Sequence, residues 1–285
     1  MTHAVTGSTR SMRGAPRPDR PARLAHERHG AGAPLVLLHG IGSSRRSWYP
    51  VLAQLAEHRD TIAVDLPGHG ESPRRPRRAG HAPADLARSV ADLLDELGLD
   101  RPDVVGNSLG GWVALELARL GRARSVTALS PGGLWRGRVP AYLRVALRQS
   151  RLTARVLARV APQAPRSALT RALVVSQVAG SPWRVPYAPA NAAVHDMAAA
   201  RGFRPVLRAL ERRRLERGQE VRVPVTVAFG TRDRVLLPGL ARWREALPPQ
   251  TRWVDLPGLG HVPMLDDPDA VVRLVLESAG APALG

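Results

Sequence analysis

The chain has 285 residues, 44% of them hydrophobic, enough for one large core or one domain carrying an inserted subdomain. It contains no cysteine, which excludes disulfides and thiolate metal sites, and no apolar run approaches the roughly 18 residues of a membrane span. The net charge of +18 comes from 42 basic residues that are all arginine, but the aromatics, at 4%, are not interleaved with them as base-stacking platforms, so nucleic acid is not an expected partner.

Residues 1–22 are rich in Pro and Arg and lack the apolar centre of a secretory signal; they read as a disordered tail on a cytoplasmic protein. From Pro34, PLVLLHG is an apolar run of strand length closed by glycine, followed by a helical pattern around Trp48 to His58. TIAVDLPGHG is a second strand. PADLARSVADLLDELGL then places Leu86, Val90, Leu93, Leu94 and Leu97 at helical spacing, with Gly98 near its end. DVVGNS, GGWVALELARL and SVTALSP continue as strand, helix and strand. After a long interval, VPVTVAFG, LPGLARWREAL, TRWVDLPG and DAVVRLVLESA resume as strand, helix, strand and helix. Apolar strands alternating with amphipathic helices predict an α/β fold with a mostly parallel, doubly wound sheet.

The interval is different in kind. From about Gly133 to Gly218 no strand pattern occurs, only helical segments broken by Pro and Gly. Between Pro131 and Glu220, 17 arginines stand against 4 acidic residues, so most of the net charge lies there. The expected organisation is therefore a tail over 1–22, a core over 23–132, a helical insertion over 133–220 and the rest of the core over 221–285.

Ligands of open parallel sheets bind beyond the carboxyl ends of the strands, so the residues just after each strand carry the functional signal. Gly106-Asn107-Ser108-Leu109-Gly110 fits G-x-S-x-G between a strand and a helix, a turn that exposes a serine hydroxyl at a helix N-terminus. A serine nucleophile needs a base and a group to orient the base. His261 follows the last strand in a glycine-flanked loop, and Asp233 follows the strand before it, again just past a glycine. Asp255 is a competing acid, too near His261 in sequence to approach it easily.

The order Ser108, Asp233, His261, together with His39-Gly40-Ile41-Gly42, the run Asp65 to Ser72 and Gly260-His261 before Pro263-Met264, resembles the α/β-hydrolase superfamily from about Arg23 to the C-terminus. The resemblance implies a cofactor-free enzyme with no metal, in which Ser108 is the nucleophile, His261 the base and Asp233 its orienter. It also implies an oxyanion hole built from the N–H groups of Leu109 and Ile41, with Gly42 the alternative to Ile41, His39 supporting the loop and Asp65 to Ser72 as scaffold. Relatives acting on epoxides or haloalkanes carry aspartate at the elbow, so Ser108 points instead to a carboxylic ester or lactone as a small-molecule substrate. The alternatives are a carbon–carbon bond hydrolase of a diketone and a ligand-binding member of the fold.

The insertion resembles a helical cap. Arginines 144, 148, 151, 155 and 159 recur at helical spacing on one face, expected to be solvated, with an anionic or lipidic substrate or a membrane surface as the sharper readings. Trp135, Trp183 and Tyr187 are expected either beside the pocket or in the packing of the insertion.

Overall fold

The computed structural model describes residues 23–76, 78–211 and 213–280; the tail expected over 1–22 lies outside them. Seven strands form one sheet: β1 (His26–His29), β2 (Pro34–Leu38), β3 (Asp60–Val64), β4 (Asp103–Asn107), β5 (Ser125–Leu129), β6 (Val225–Gly230) and β7 (Arg252–Leu256). Their spatial order is β1-β3-β2-β4-β5-β6-β7, with β1 antiparallel to β3 and every other pair parallel.

The run PLVLL is continuously apolar because both of its faces are covered. Val36 and Leu38 pack with α2 (Pro83–Glu96) and α3 (Leu109–Arg119), while Leu35 and Leu37 pack with α1 (Tyr49–Ala56) and α9 (Pro268–Ser278). Each of these fully buried side chains contributes about 1.5–3 kcal/mol. Local signals set the helix ends. In α2, Pro83 opens the helix, the Asp85 carboxylate accepts the Ala82 N–H at 3.0 Å, and Gly98 takes the left-handed conformation just past the end.

Between β5 and β6 lie α4 (Ala141–Val160), α5 (Ala168–Val175), α6 (Tyr187–Ala199) and α7 (Phe203–Leu210), with no strand among the described residues. The chain leaves β5 at its carboxyl end, the same end at which β4 delivers Ser108, so the inserted helices gather over that end of the sheet. Among the described residues no helix is long and apolar enough to cross a membrane.

One strand carries no sequence signal, and two expectations need correction. The edge strand β1, His-Glu-Arg-His, carries no apolar signal and is held by its ladder with β3 and by the Arg28–Asp60 pair. The helix expected over Leu237–Leu247 is only α8 (Pro238–Ala241) followed by a 3-10 turn at Arg244–Ala246. Arg242 leaves helical geometry and the Trp243 N–H donates to the Leu134 carbonyl at 2.8 Å, a tertiary partner that outcompetes helix continuation. The arginine face of α4 is not uniformly solvated: Arg148, Arg155 and Arg159 are exposed, but Arg151 is buried.

Candidate active site

After Asn107 the chain turns through Ser108 at φ 55° and ψ −113° and enters α3. A serine at positive φ costs on the order of 1–3 kcal/mol and persists only where its surroundings over-determine it. Here the Ser108 N–H donates to the Leu129 carbonyl at 2.9 Å, and its own carbonyl accepts the N–H groups of Gly132 and Trp112 at 2.9 and 3.2 Å. Glycine is required on both sides. A Cβ on Gly106 would lie 2.2 Å from the Gly110 carbonyl oxygen, and one on Gly110 would lie 2.0 Å from that of Leu38.

Ser108 is half-buried and lines a cavity of about 730 Å³, shared with His261, Ile41 and Leu109. His261 itself is buried, and its Nδ1 lies 2.9 Å from Asp233 Oδ2. The other carboxylate oxygen of Asp233 accepts the N–H groups of Val235 and Leu236, each at 2.8 Å. Burial pushes the Asp233 carboxyl up, but the His261 charge, its hydrogen bond and the two backbone donors outweigh burial and hold it below the ordinary carboxylate range. An ionised Asp233 accepts from Nδ1–H, which leaves the Nε2 lone pair of His261 available as a base. Among the described residues neither Nε2 nor the Ser108 hydroxyl has a hydrogen-bond partner. Asp255 plays no part in this: it is exposed and pairs with Arg242 at 3.0 Å.

Ile41 and Leu109 both line the cavity, and among the described residues their N–H groups donate to no protein acceptor. Leu109 opens α3, where unsatisfied N–H groups are intrinsic to helix geometry. The loop carrying Ile41 rests on His39, whose Nε2 accepts the Leu66 N–H at 2.9 Å while Nδ1 bonds the Gly40 carbonyl at 2.7 Å. Burial lowers the pKa of His39, so the ring is neutral and fits this supporting role. Of the three aromatics expected near the pocket, Trp135 lines it, packed edge-on to Trp112 with centroids 5.5 Å apart. Trp183 is exposed, and Tyr187 hydrogen-bonds Gln163 at 3.3 Å.

Three residues that hold this arrangement carry no recognisable sequence signal. Asn107 donates its amide to the carbonyls of His261 at 2.9 Å and Leu129 at 3.1 Å, tying the serine turn to the histidine loop. The Asp266 carboxylate accepts the N–H groups of Gly180, Ser181 and Gly260, each at 2.8 Å, and so joins the inserted helices to the residue before His261. Buried Asp196, on α6, accepts from the Ser44 hydroxyl at 2.6 Å and pairs with Arg46, fastening the insertion to the loop after β2. A carboxylate that binds backbone N–H groups distant in sequence leaves no spacing to detect.

The sequence model of the alpha/beta hydrolase family matches residues 35–274. Epoxide hydrolase EphH of Mycobacterium tuberculosis is 34% identical over 200 residues, covering 67% of this chain and 92% of that one. A thermophilic esterase from Thermogutta terrifontis has a similar structure, with a TM-score of 0.70 over 89% of this chain and 92% of that one at 23% identity. The meta-cleavage product hydrolase of Pseudomonas fluorescens gives 0.68 over 90% and 93% at 18% identity. At such identities the two structural likenesses concern the fold. With the family match running from β2 through α9 and the seven-stranded sheet beneath it, this chain belongs to the alpha/beta hydrolase family.

Proposed function

We propose that this protein is a serine hydrolase that cleaves a carboxylic ester or lactone through an acyl-enzyme. The observation that carries the reading is Ser108 held at positive φ in the cavity it shares with His261, whose Nδ1 is tied to a buried, ionised Asp233. In this reading the Ser108 hydroxyl attacks the substrate carbonyl carbon while His261 Nε2 takes its proton. The N–H groups of Ile41 and Leu109 stabilise the oxyanion, and His261 returns the proton to the departing alkoxide. Water then attacks the acyl-enzyme by the same proton route. Residues 133–220 act as the cap over the site, and no step calls for a metal or cofactor.

The relative named an epoxide hydrolase does not move this reading. A serine that opens an epoxide forms an ether, which water does not readily cleave, whereas a serine that attacks a carbonyl forms a hydrolysable ester.

A fluorophosphonate probe should label Ser108, and Ser108→Ala should lower turnover of short-chain esters by on the order of 10⁴-fold or more without altering the fold. Retained turnover in a clean Ser108→Ala preparation refutes the proposal. An acyl-chain-length series run beside a diketone reports the substrate class, and preferential diketone cleavage would replace ester hydrolysis with carbon–carbon bond cleavage at the same serine.

A further inference from the structure

The insertion exposes two groups of apolar side chains, one on α4 and one around α5, at helices that both contribute to the cavity wall. On α4, Val145, Leu152, Val156 and Val160 recur at seven, four and four residues and form one stripe. Leu152 is 65% exposed and Val160 75%. On α5, Leu169 and Leu173 stand one turn apart and are both exposed, and Trp183 projects from the turn packed against α5. Isolated exposed apolar residues are ordinary, but a row of them along one face of a helix, as on α4, marks a binding surface.

The row on α4 has two distinct flanks. On one side of α4 run Arg148, Arg155 and Arg159. On the other lie Gln149 and Thr153, which line the cavity, and Leu173 belongs both to the cavity wall and to the exposed group around α5. The apolar surface therefore leads into the mouth of the site. Its electrostatics are of one sign: from residue 117 to residue 195 the chain has no aspartate or glutamate. Arg148 is paired with Glu211, just past the end of α7, while Arg155 and Arg159 are exposed with no carboxylate partner among the described residues.

We propose that this face docks on an anionic lipid bilayer, the exposed apolar side chains entering the headgroup boundary and the arginines binding the surface charge. Charge complementarity selects this occupant. A second copy of the chain would bring one arginine-lined face against another, with Arg155 and Arg159 unpaired on both. Nucleic acid would engage the arginines but would leave the aliphatic row without a partner. A bilayer with acidic headgroups satisfies both components at once. Docking places the cavity mouth at the membrane surface, which makes lipidic esters the substrate class; that part rests on the serine-hydrolase reading, whereas the docking itself does not.

The test is co-sedimentation of the full chain with phosphatidylcholine vesicles and with vesicles containing about 30% phosphatidylglycerol, using wild type and Ser108→Ala. Both proteins should pellet with the anionic vesicles only and be released by about 1 M salt, where the Debye length is about 3 Å. Leu152→Glu/Val156→Glu, neither of which lines the cavity, should weaken vesicle binding about tenfold or more while leaving turnover of a soluble short-chain ester unchanged. Arg155→Gln and Arg159→Gln should each weaken it about fivefold. The arginines of residues 1–22 are present in every variant, so they form a common background. The proposal is overturned by absence of binding to anionic vesicles, by equal binding to neutral ones, or by binding that Leu152→Glu/Val156→Glu does not change. It is also overturned if the wild type elutes as a dimer that this double variant dissociates, which would make the face a self-interface. A wild type that hydrolyses the soluble ester but does not bind anionic vesicles refutes docking alone, and ester turnover retained in Ser108→Ala refutes the hydrolase reading alone.

Discussion

Asp233 spends both of its carboxylate oxygens: one on His261 and the other on the N–H groups of Val235 and Leu236. An amide in its place would offer the imidazole a donor and drive the ring proton to Nε2, where the base must be empty. Asp233→Asn should therefore lower kcat by on the order of 10³- to 10⁴-fold with a smaller change in KM. The substitution has a second signature. The folded pKa of Asp233 lies below its unfolded value, so its contribution to stability is complete above the unfolded value near 4 and is lost as pH falls through the folded one. Thermal midpoints measured between about pH 2 and pH 5 should fall less steeply on acidification in Asp233→Asn than in the wild type. An unchanged slope would mean that the carboxylate is not stabilised by its partners. Ser108, Asp233 and His261, the proposed nucleophile, orienter and base, could be picked out of the sequence as a candidate set because each follows a separate strand, and the fold brings them to one place. Asn107 and Asp266 could not, since they act on backbone groups, which every residue possesses, and only the fold decides which ones come within reach.

At the scale of one element, α4 contains a conflict that its periodicity conceals. The spacing of its arginines identifies a face but not how far that face turns inward, and the packing of α4 on α6 and α7 rotates Arg151 out of water. Its guanidinium lies 4.7 Å from the Phe203 ring centroid and donates to the Met197 carbonyl at 2.8 Å, but Nε has no partner. Burial, with Arg155 and Arg204 nearby, pulls its pKa below the ordinary arginine range. The cation–π contact returns about 1–2 kcal/mol, less than the several kcal/mol of placing an unpaired charge in a dry site. Arg151→Met, close in length and uncharged, should stabilise the protein by about 1 kcal/mol in urea unfolding; a clear loss of stability would show that Arg151 is better compensated than its contacts suggest. The same limit of periodicity explains β1 and α8. The ladder that holds His26–His29 and the Leu134 carbonyl that captures Trp243 are both tertiary, and neither leaves a mark in the local pattern.

Across the whole molecule, charge is distributed by region rather than by pair. The two arginines in the cavity wall are already engaged, Arg46 with Asp196 and Arg234 with the carbonyls of Ser176 and Ala179, so neither waits as a dedicated anion clamp. What remains is the summed field of a chain with net charge +18, strongest around residues 117–195, which contain no Asp or Glu. Such a field acts on encounter rather than on the bound state. For an anionic ester, kcat/KM should fall about three- to tenfold between 20 mM and 500 mM salt, while a neutral ester of the same size changes little. Parallel salt dependence for the two esters would remove steering. The sheet, its helices on both faces and the strandless interval were all legible in the sequence because they follow from hydrophobic periodicity. The contacts that fasten the insertion to the sheet were not, because Asp196 and Asp266 make them across long sequence separations.

The Asp266 clamp bears on how freely the parts of this protein can be recombined. At Gly180 and Gly260 the two backbones run so close that a Cβ on Gly180 would fall 2.1 Å from the Gly258 carbonyl oxygen, and the Val262 N–H bonds the Val178 carbonyl at 2.9 Å. A chimaera that exchanged residues 133–220 for the corresponding segment of a relative would discard Gly180 and Ser181 while retaining the carboxylate built to receive them. Asp266 would keep those two donors only if the new segment brought its backbone N–H groups to the same place, beside the Gly260 N–H that the same carboxylate accepts. Insertion and histidine loop are thus an inherited pair, and diversification of substrate range by swapping the one demands matched change in the other.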